Sequence, residues 1–225
     1  GATNLGRALG FKYFLLCFLL DALKGFAPTL AFGLVTGWLG TESLTLAPTQ
    51  TLLWLTIAVV PVLGHSFSPF IGFKGGKGVA TAFGSLLGVF PTLTLPALGA
   101  MVVFLGVFWI SRYVSLASIC ASAALPVWVW YFFAMSGNAL ATRDELGRLN
   151  ELETKPAAAV IFTAALGAFV IWKHRSNIRR LLDGTENKIG TPKPNAGAKP
   201  AQPPRHAPDA DTHATDAARR PDSFS

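Results

Sequence analysis

Six apolar runs, at roughly 13–37, 51–70, 79–91, 96–110, 115–134 and 157–173, leave this chain few architectures besides a membrane bundle. A helix that crosses a bilayer needs about 20 apolar residues, because no water inside can satisfy its backbone. The first, second, fifth and sixth runs reach or approach that length. The third and fourth are short and are separated by PTLTLP (91–96). Only 14% of the 225 residues are Asp, Glu, Lys or Arg, against about 25% in soluble domains.

The 19 Lys and Arg against 12 Asp and Glu give a net charge of +7. In a membrane protein such an excess marks cytoplasmic loops and contact with anionic lipid, rather than nucleic acid. Basic clusters stand at Lys74/Lys77, at Arg112, and at Lys173, Arg175, Arg179 and Arg180. The stretch 37–50 carries only Glu42, and 136–155 balances Arg143, Arg148 and Lys155 against Asp144, Glu145, Glu151 and Glu153. The positive-inside rule places the basic clusters in the cytoplasm and the other two stretches outside. An even number of crossings must then join Lys77 to Arg112. Two short helices turning at Pro91–Pro96 meet that condition and one long helix does not. The expectation is an all-α polytopic bundle of six transmembrane helices, with both ends cytoplasmic.

Residues 1–190 read as the membrane domain. Residues 191–225 are rich in Pro, Ala and charge and nearly free of large apolar side chains. They cannot bury enough surface to offset ordering entropy, so they read as a disordered cytoplasmic tail. His206 and His213 lie there with no ligand pattern around them, and no metal site is expected. Cys17 and Cys120 sit inside apolar runs and read as small buried hydrophobes. The first residue is Gly and no signal peptide precedes it, so the chain is expected to start partway through a natural sequence.

Polar residues gather in a few places that the expected topology brings to one membrane face. In GATNLGRALG (1–10), Asn4 and Arg7 share a helix face at i,i+3, and Arg offers a planar fork for phosphate. GHSFSPFIGFKGGKGVATAFG (64–84) holds Lys74 and Lys77 among Gly72, Gly75, Gly76 and Gly78. It is not a Walker A loop, because Ile71 stands at the first glycine position and Gly78 follows the lysine. Converging backbone N–H groups and the positive end of a helix starting near Val79 still favour an anion. SRYVSLASICAS (111–122) places Arg112 before Ser115 and Ser118. WKHRSNIRRLLDGTENKIG (172–190) pairs His174 with Asn177 at i,i+3, and His suits proton transfer near neutral pH. Asp21 and Lys24 interrupt the first apolar run at i,i+3 and can neutralise each other. Basic, glycine-rich breaks also line anion transporters, but those usually hold substrate near the midplane.

In this order, GATNLGRALG, DALKG, GHSFSPFIGFKGGKGVAT, SRYVSLASI and HRSNIRRLLDGTENKIG resemble the bacterial acyl-phosphate:glycerol-3-phosphate acyltransferase family (PlsY), from Gly1 to about Gly190. The resemblance implies a seven-helix fold, of which this chain would lack the first helix and the serine-bearing start of the first motif. It implies acyl transfer from acyl phosphate to the 1-hydroxyl of glycerol 3-phosphate at the cytoplasmic face of the bacterial inner membrane. No metal or other cofactor is implied, and functional coupling to the enzyme that makes acyl phosphate is. By the same resemblance Lys74, Gly75, Gly76, Lys77 and Gly78 hold phosphate, and Asn4 and Arg7 complete the pocket. Ser115, His174 and Asn177 line it, His65 orients the loop, and His174, Asn177, Lys77 and Arg7 carry the chemistry. Asp21, Lys24, Arg112 and Glu186 give structural support, Glu186 by pairing with Arg179 or Arg180. No nucleophile elbow G-x-S-x-G is present, so direct transfer without an acyl-enzyme is expected.

Overall fold

The computed structural model describes residues 1–41, 46–141 and 149–189, and the side chains of these apart from Arg7, Pro48, 136–141 and 149–156. The expected tail at 191–225 lies outside the described residues, as does part of the expected outer loop at 136–155. Every regular element among the described residues is helical: α1 (Ala2–Leu9), α2 (Phe11–Thr36), α3 (Pro48–Ser66), α4 (Val79–Gly88), α5 (Thr94–Ser111), α6 (Val114–Ala141), α7 (Leu149–Lys173) and α8 (Arg175–Leu182). A 3-10 turn at Pro69–Ile71 follows α3.

Local chemistry sets these boundaries. α2 stops at Gly37, whose φ of 72° is left-handed, and the Trp38 N–H then donates to the Gly33 carbonyl at 2.9 Å. Such a reversal satisfies the carbonyls of the last turn. α3 opens with proline at its first position, where a missing N–H costs nothing. The Gln50 side chain accepts from the Ala47 N–H at 2.8 Å and closes that end.

Among the described residues, four stretches are long and apolar enough to cross a bilayer: Phe11–Val35, Thr49–Ile71, Thr94–Ser111 and Val114–Met135. Ala157–Lys173 adds a fifth when counted with Arg175–Leu182, to which it is bent by 60°. The outward faces are apolar, as lipid demands: α5 exposes Leu98, Val102, Leu105 and Trp109.

The run 79–110 divides into two helices, α4 and α5, as expected from the sequence. α4 has only ten residues, about 15 Å at 1.5 Å per residue, against a hydrocarbon core of about 30 Å. It therefore falls short of the length expected of a sixth crossing. Its surroundings explain how so short a helix is kept. Thr81, Ala82, Gly84, Ser85, Leu86 and Gly88 are all buried, so α4 is a core helix packed on α2, α3 and α5. A Cβ on Gly84 would lie 1.9 Å from the Ala22 carbonyl oxygen, and one on Gly25 2.1 Å from that of Thr81. Glycine at both positions lets the α2 and α4 backbones touch, which substitutes for hydrophobic driving force inside a membrane. Trp54, Leu55, Val62 and Leu93 fill the core beside them, and the Trp54 Nε1–H donates to the Thr29 carbonyl at 3.1 Å.

Candidate active site

The glycine-lysine loop folds back onto the end of α3. Gly72 and Phe73 both adopt left-handed backbone (φ 61° and 60°), and the Phe73 N–H donates to Ser68 O at 2.9 Å. The chain then runs along α3, where the Gly76 N–H donates to His65 O at 3.2 Å. Gly78, at φ 80°, swings the backbone into α4. The first N–H groups of α4 lack intrahelical partners by helix geometry, and Lys77 stands beside them. Lys173, at the end of α7, roots the loop: its Nζ donates to Ser66 O at 3.1 Å and lies 4.7 Å from the Phe67 ring centre.

α8 supplies the opposite wall. The bend after Lys173 puts His174 at its start, and His174 is 2% exposed. The Nδ1 of His174 lies 2.8 Å from the Val170 carbonyl. A carbonyl only accepts, so Nδ1 carries the hydrogen and Nε2 is the basic nitrogen. Asn177, one turn on, is buried and bridges two charges. It accepts from Lys77 Nζ through Oδ1 and donates from Nδ2 to Glu186 Oε1 at 2.8 Å. Lys77 and Asn177 are 100 residues apart in sequence.

Glu186 is the keystone of this wall. Past the left-handed Gly184 the chain turns back, and the carboxylate meets Asn177, Ser115 Oγ at 2.8 Å and Arg180 Nε at 2.7 Å. The Ile189 N–H then donates to Arg112 O at 3.0 Å, tying the segment to the α5–α6 junction. Burial disfavours the charged form of Glu186, but hydrogen bonds from Asn177, Arg180 and Ser115 outweigh it and hold its pKa below the ordinary 4.5. The unfolded chain takes up this proton near 4.5 and the folded one at lower pH. The stability this carboxylate contributes is therefore complete above pH 4.5 and is lost as pH falls through the depressed folded value. Thermal midpoints in detergent should drop on that acid limb, and Glu186→Gln should remove this component of the drop.

A second cluster flanks the loop. Asp21 Oδ1 lies 2.9 Å from Lys24 Nζ and 3.5 Å from His65 Nδ1. Asp21 is 7% exposed although it lies in a mostly apolar helix.

Of the residues singled out from sequence, Lys77, Asn177, Glu186 and Ser115 thus form one network, with His174 at its edge. His65, Gly75, Gly76, Asp21 and Lys24 form the adjoining cluster. Arg112 joins through its backbone. Lys74 and Asn4 are exposed and make no side-chain hydrogen bond among the described residues. The Arg7 side chain lies outside the described residues. The sequence marks Lys173 only as part of a basic cluster, and its grip on Ser66 depends on the bend after α7. Among the described residues no three His, Cys, Asp or Glu side chains lie together to hold a metal. The site's resources are an ammonium, a helix N-terminus, a buried amide and a histidine, which suit a phosphate ester and proton transfer. An apolar cleft begins next to the loop at Val79 and continues past Phe83, Met101, Phe104 and Leu125 to Val170.

These features define a multi-pass, all-helical membrane protein whose described residues gather polar side chains around a basic, glycine-rich loop. The sequence model of the family described as glycerol-3-phosphate acyltransferase matches residues 1–184. This chain belongs to the glycerol-3-phosphate acyltransferase family. It is 39% identical to the glycerol-3-phosphate acyltransferase of Aquifex aeolicus over 189 residues, covering 84% of this chain and 80% of that protein. It is 37% identical to that of Geobacter sulfurreducens, covering 84% and 79%. Crystal structures of PlsY (YgiH), an integral membrane glycerol 3-phosphate acyltransferase, superpose with a TM-score of 0.61 at 37% identity. The lysophosphatidic acid form covers 85% of this chain and 80% of that one, and the glycerol 3-phosphate form 85% and 78%.

Proposed function

We propose that this protein transfers a fatty acyl group from acyl phosphate to the 1-hydroxyl of sn-glycerol 3-phosphate, releasing lysophosphatidate and inorganic phosphate. The observation that carries the reading is the contact of Lys77 with Asn177, which joins the glycine-lysine loop to the helix bearing His174. The PlsY relative has been solved with glycerol 3-phosphate and with lysophosphatidic acid, an acceptor and a product of this kind.

The acceptor phosphate sits against Lys77, Gly75, Gly76, Gly78 and the first N–H groups of α4, with Lys74, Asn4 and Arg7 adding polar contacts. Ser115, His174 and Asn177 line the far side. The acyl tail lies in the apolar cleft and the bilayer. The substrate hydroxyl oxygen bonds to the acyl carbonyl carbon, the carbon–oxygen bond to phosphate breaks, and phosphate leaves with the bonding pair. The proton passes to a substrate phosphate or to His174 Nε2. Lys77 and backbone N–H groups absorb the negative charge that develops on the carbonyl oxygen. A mixed anhydride is already activated, so no acyl-enzyme is needed.

In this reading the chain makes six crossings in a bacterial inner membrane, α4 being a short third one, with the site and the 191–225 tail cytoplasmic. The lability of acyl phosphate favours coupling to the enzyme that makes it. The test is purified protein with glycerol 3-phosphate and acyl phosphate, acyl-CoA or acyl carrier protein in turn. Lysophosphatidate and phosphate should appear with acyl phosphate. Turnover with acyl-CoA alone would refute the donor, and none with any donor would favour an anion transporter.

A further inference from the structure

The Asp21–His65 cluster has no part in the transfer just described, yet His65 packs directly against the loop. A Cβ on Gly76 would lie 2.0 Å from His65 Nε2, 2.9 Å from Cε1 and 3.0 Å from Cδ2. All three nearest atoms belong to one imidazole ring. A Cβ on Gly75 would instead lie 2.0 Å from the His65 carbonyl oxygen, with the Ser66 backbone next. Neither glycine has a left-handed φ. What excludes a side chain at each position is His65: its ring at Gly76, its backbone at Gly75.

The ring is itself held. Its Nδ1 lies 3.5 Å from the Asp21 carboxylate, an electrostatic contact, and the opposite edge of the ring, with Nε2, turns to the loop. Asp21 is buried in a membrane helix, where an acidic group is costly. Lys24 shares the same oxygen from one turn away. The outer partners of a metal-bound histidine orient the ring in the same way.

We propose that Asp21 and His65 are positioning residues: Asp21 sets the ring of His65, and the ring moulds the Gly75–Gly76 backbone so that Lys77 and the start of α4 face the acceptor phosphate. This rests on the reading of the loop as the seat of glycerol 3-phosphate. Loss of the mould loosens acceptor binding without removing any reacting group, so the KM for glycerol 3-phosphate rises while kcat is largely kept.

The discriminating experiment is a set of double-mutant cycles in the full chain, read by KM, kcat and the thermal midpoint in detergent. Gly76→Ala and Gly75→Ala should each raise KM and lower the midpoint. On a His65→Ala background the ring is gone, so Gly76→Ala should add little by either measure. Gly75→Ala should stay fully damaging there, because the His65 carbonyl remains. Asp21→Asn should raise KM in the parent protein by about tenfold, the lower end for removing an outer partner of a bound histidine, and add nothing on the His65→Ala background. If His65→Ala does not fold, His65→Asn also vacates the space at Gly76 and replaces it.

Equal damage by Gly76→Ala in both backgrounds overturns the mould. Equal damage by Asp21→Asn in both overturns its action through His65. A collapse of kcat at unchanged KM in His65→Ala would make His65 a reacting group instead. Should the parent protein turn over no glycerol 3-phosphate with any donor, the functional reading fails separately. The thermal midpoints then decide the mould by the same pattern.

Discussion

Lys77→Ala is expected to lower turnover by about 10²–10³-fold, the usual cost of removing one donor that faces developing charge. The ammonium is held at Asn177, between the glycine loop and α8, and it is a cation that the structure fastens to both walls of the site. How the loss divides between the two kinetic constants tells its role. A fall in kcat means Lys77 acts on the transition state, and a steep rise in the glycerol 3-phosphate KM means it seats the acceptor. Lys77→Arg should recover only part, because a planar fork cannot occupy the place of a compact ammonium. Steady-state kinetics over both substrates checks this, and wild-type constants in Lys77→Ala would remove the residue from the site.

Glu186→Ala is expected to destabilise the fold by about 3 kcal/mol or more, as breaking a buried charged network does. Asn177, Ser115 and Arg180 all donate to this one carboxylate. Asn177 and Ser115 are buried and would be left without their acceptor, at about 1–3 kcal/mol each. Because Asn177 also holds Lys77, activity should fall along with stability. The thermal midpoint in detergent and the fraction recovered monodisperse measure the effect. A midpoint within a degree of wild type would show that Glu186 does not hold the wall together.

The spans were legible because a bilayer accepts almost nothing but long apolar helices. Charge counting also divided 79–110 into two helices, and the structure has two there, α4 and α5. What the sequence did not convey is how so short a helix as α4 is held. A lipid-facing helix must match the bilayer, but one enclosed by α2, α3 and α5 need not, and enclosure is a property of packing. The role of Gly25 and Gly84 in that packing follows only from where the two backbones meet.

At the site, local spacing found pairs that one helix can make by itself. Asp21 with Lys24, and His174 with Asn177, are i,i+3 neighbours whatever else the chain does. Glu186 was expected to pair with Arg179 or Arg180, and spacing left both open. The turn at Gly184 decides for Arg180, which lies i,i+3 from Asn177 and shares its inward face.

The sequence by itself therefore determined a helical membrane bundle, its family, and the segments that carry its polar chemistry, because hydrophobic length, charge bias and short motifs are local properties. Tertiary structure alone decided that Lys77 meets Asn177, that Glu186 ties Ser115 to α8, and that the His65 ring lies against Gly76. Those contacts join positions up to 100 residues apart. No period or spacing encodes them; they exist only once the helices pack.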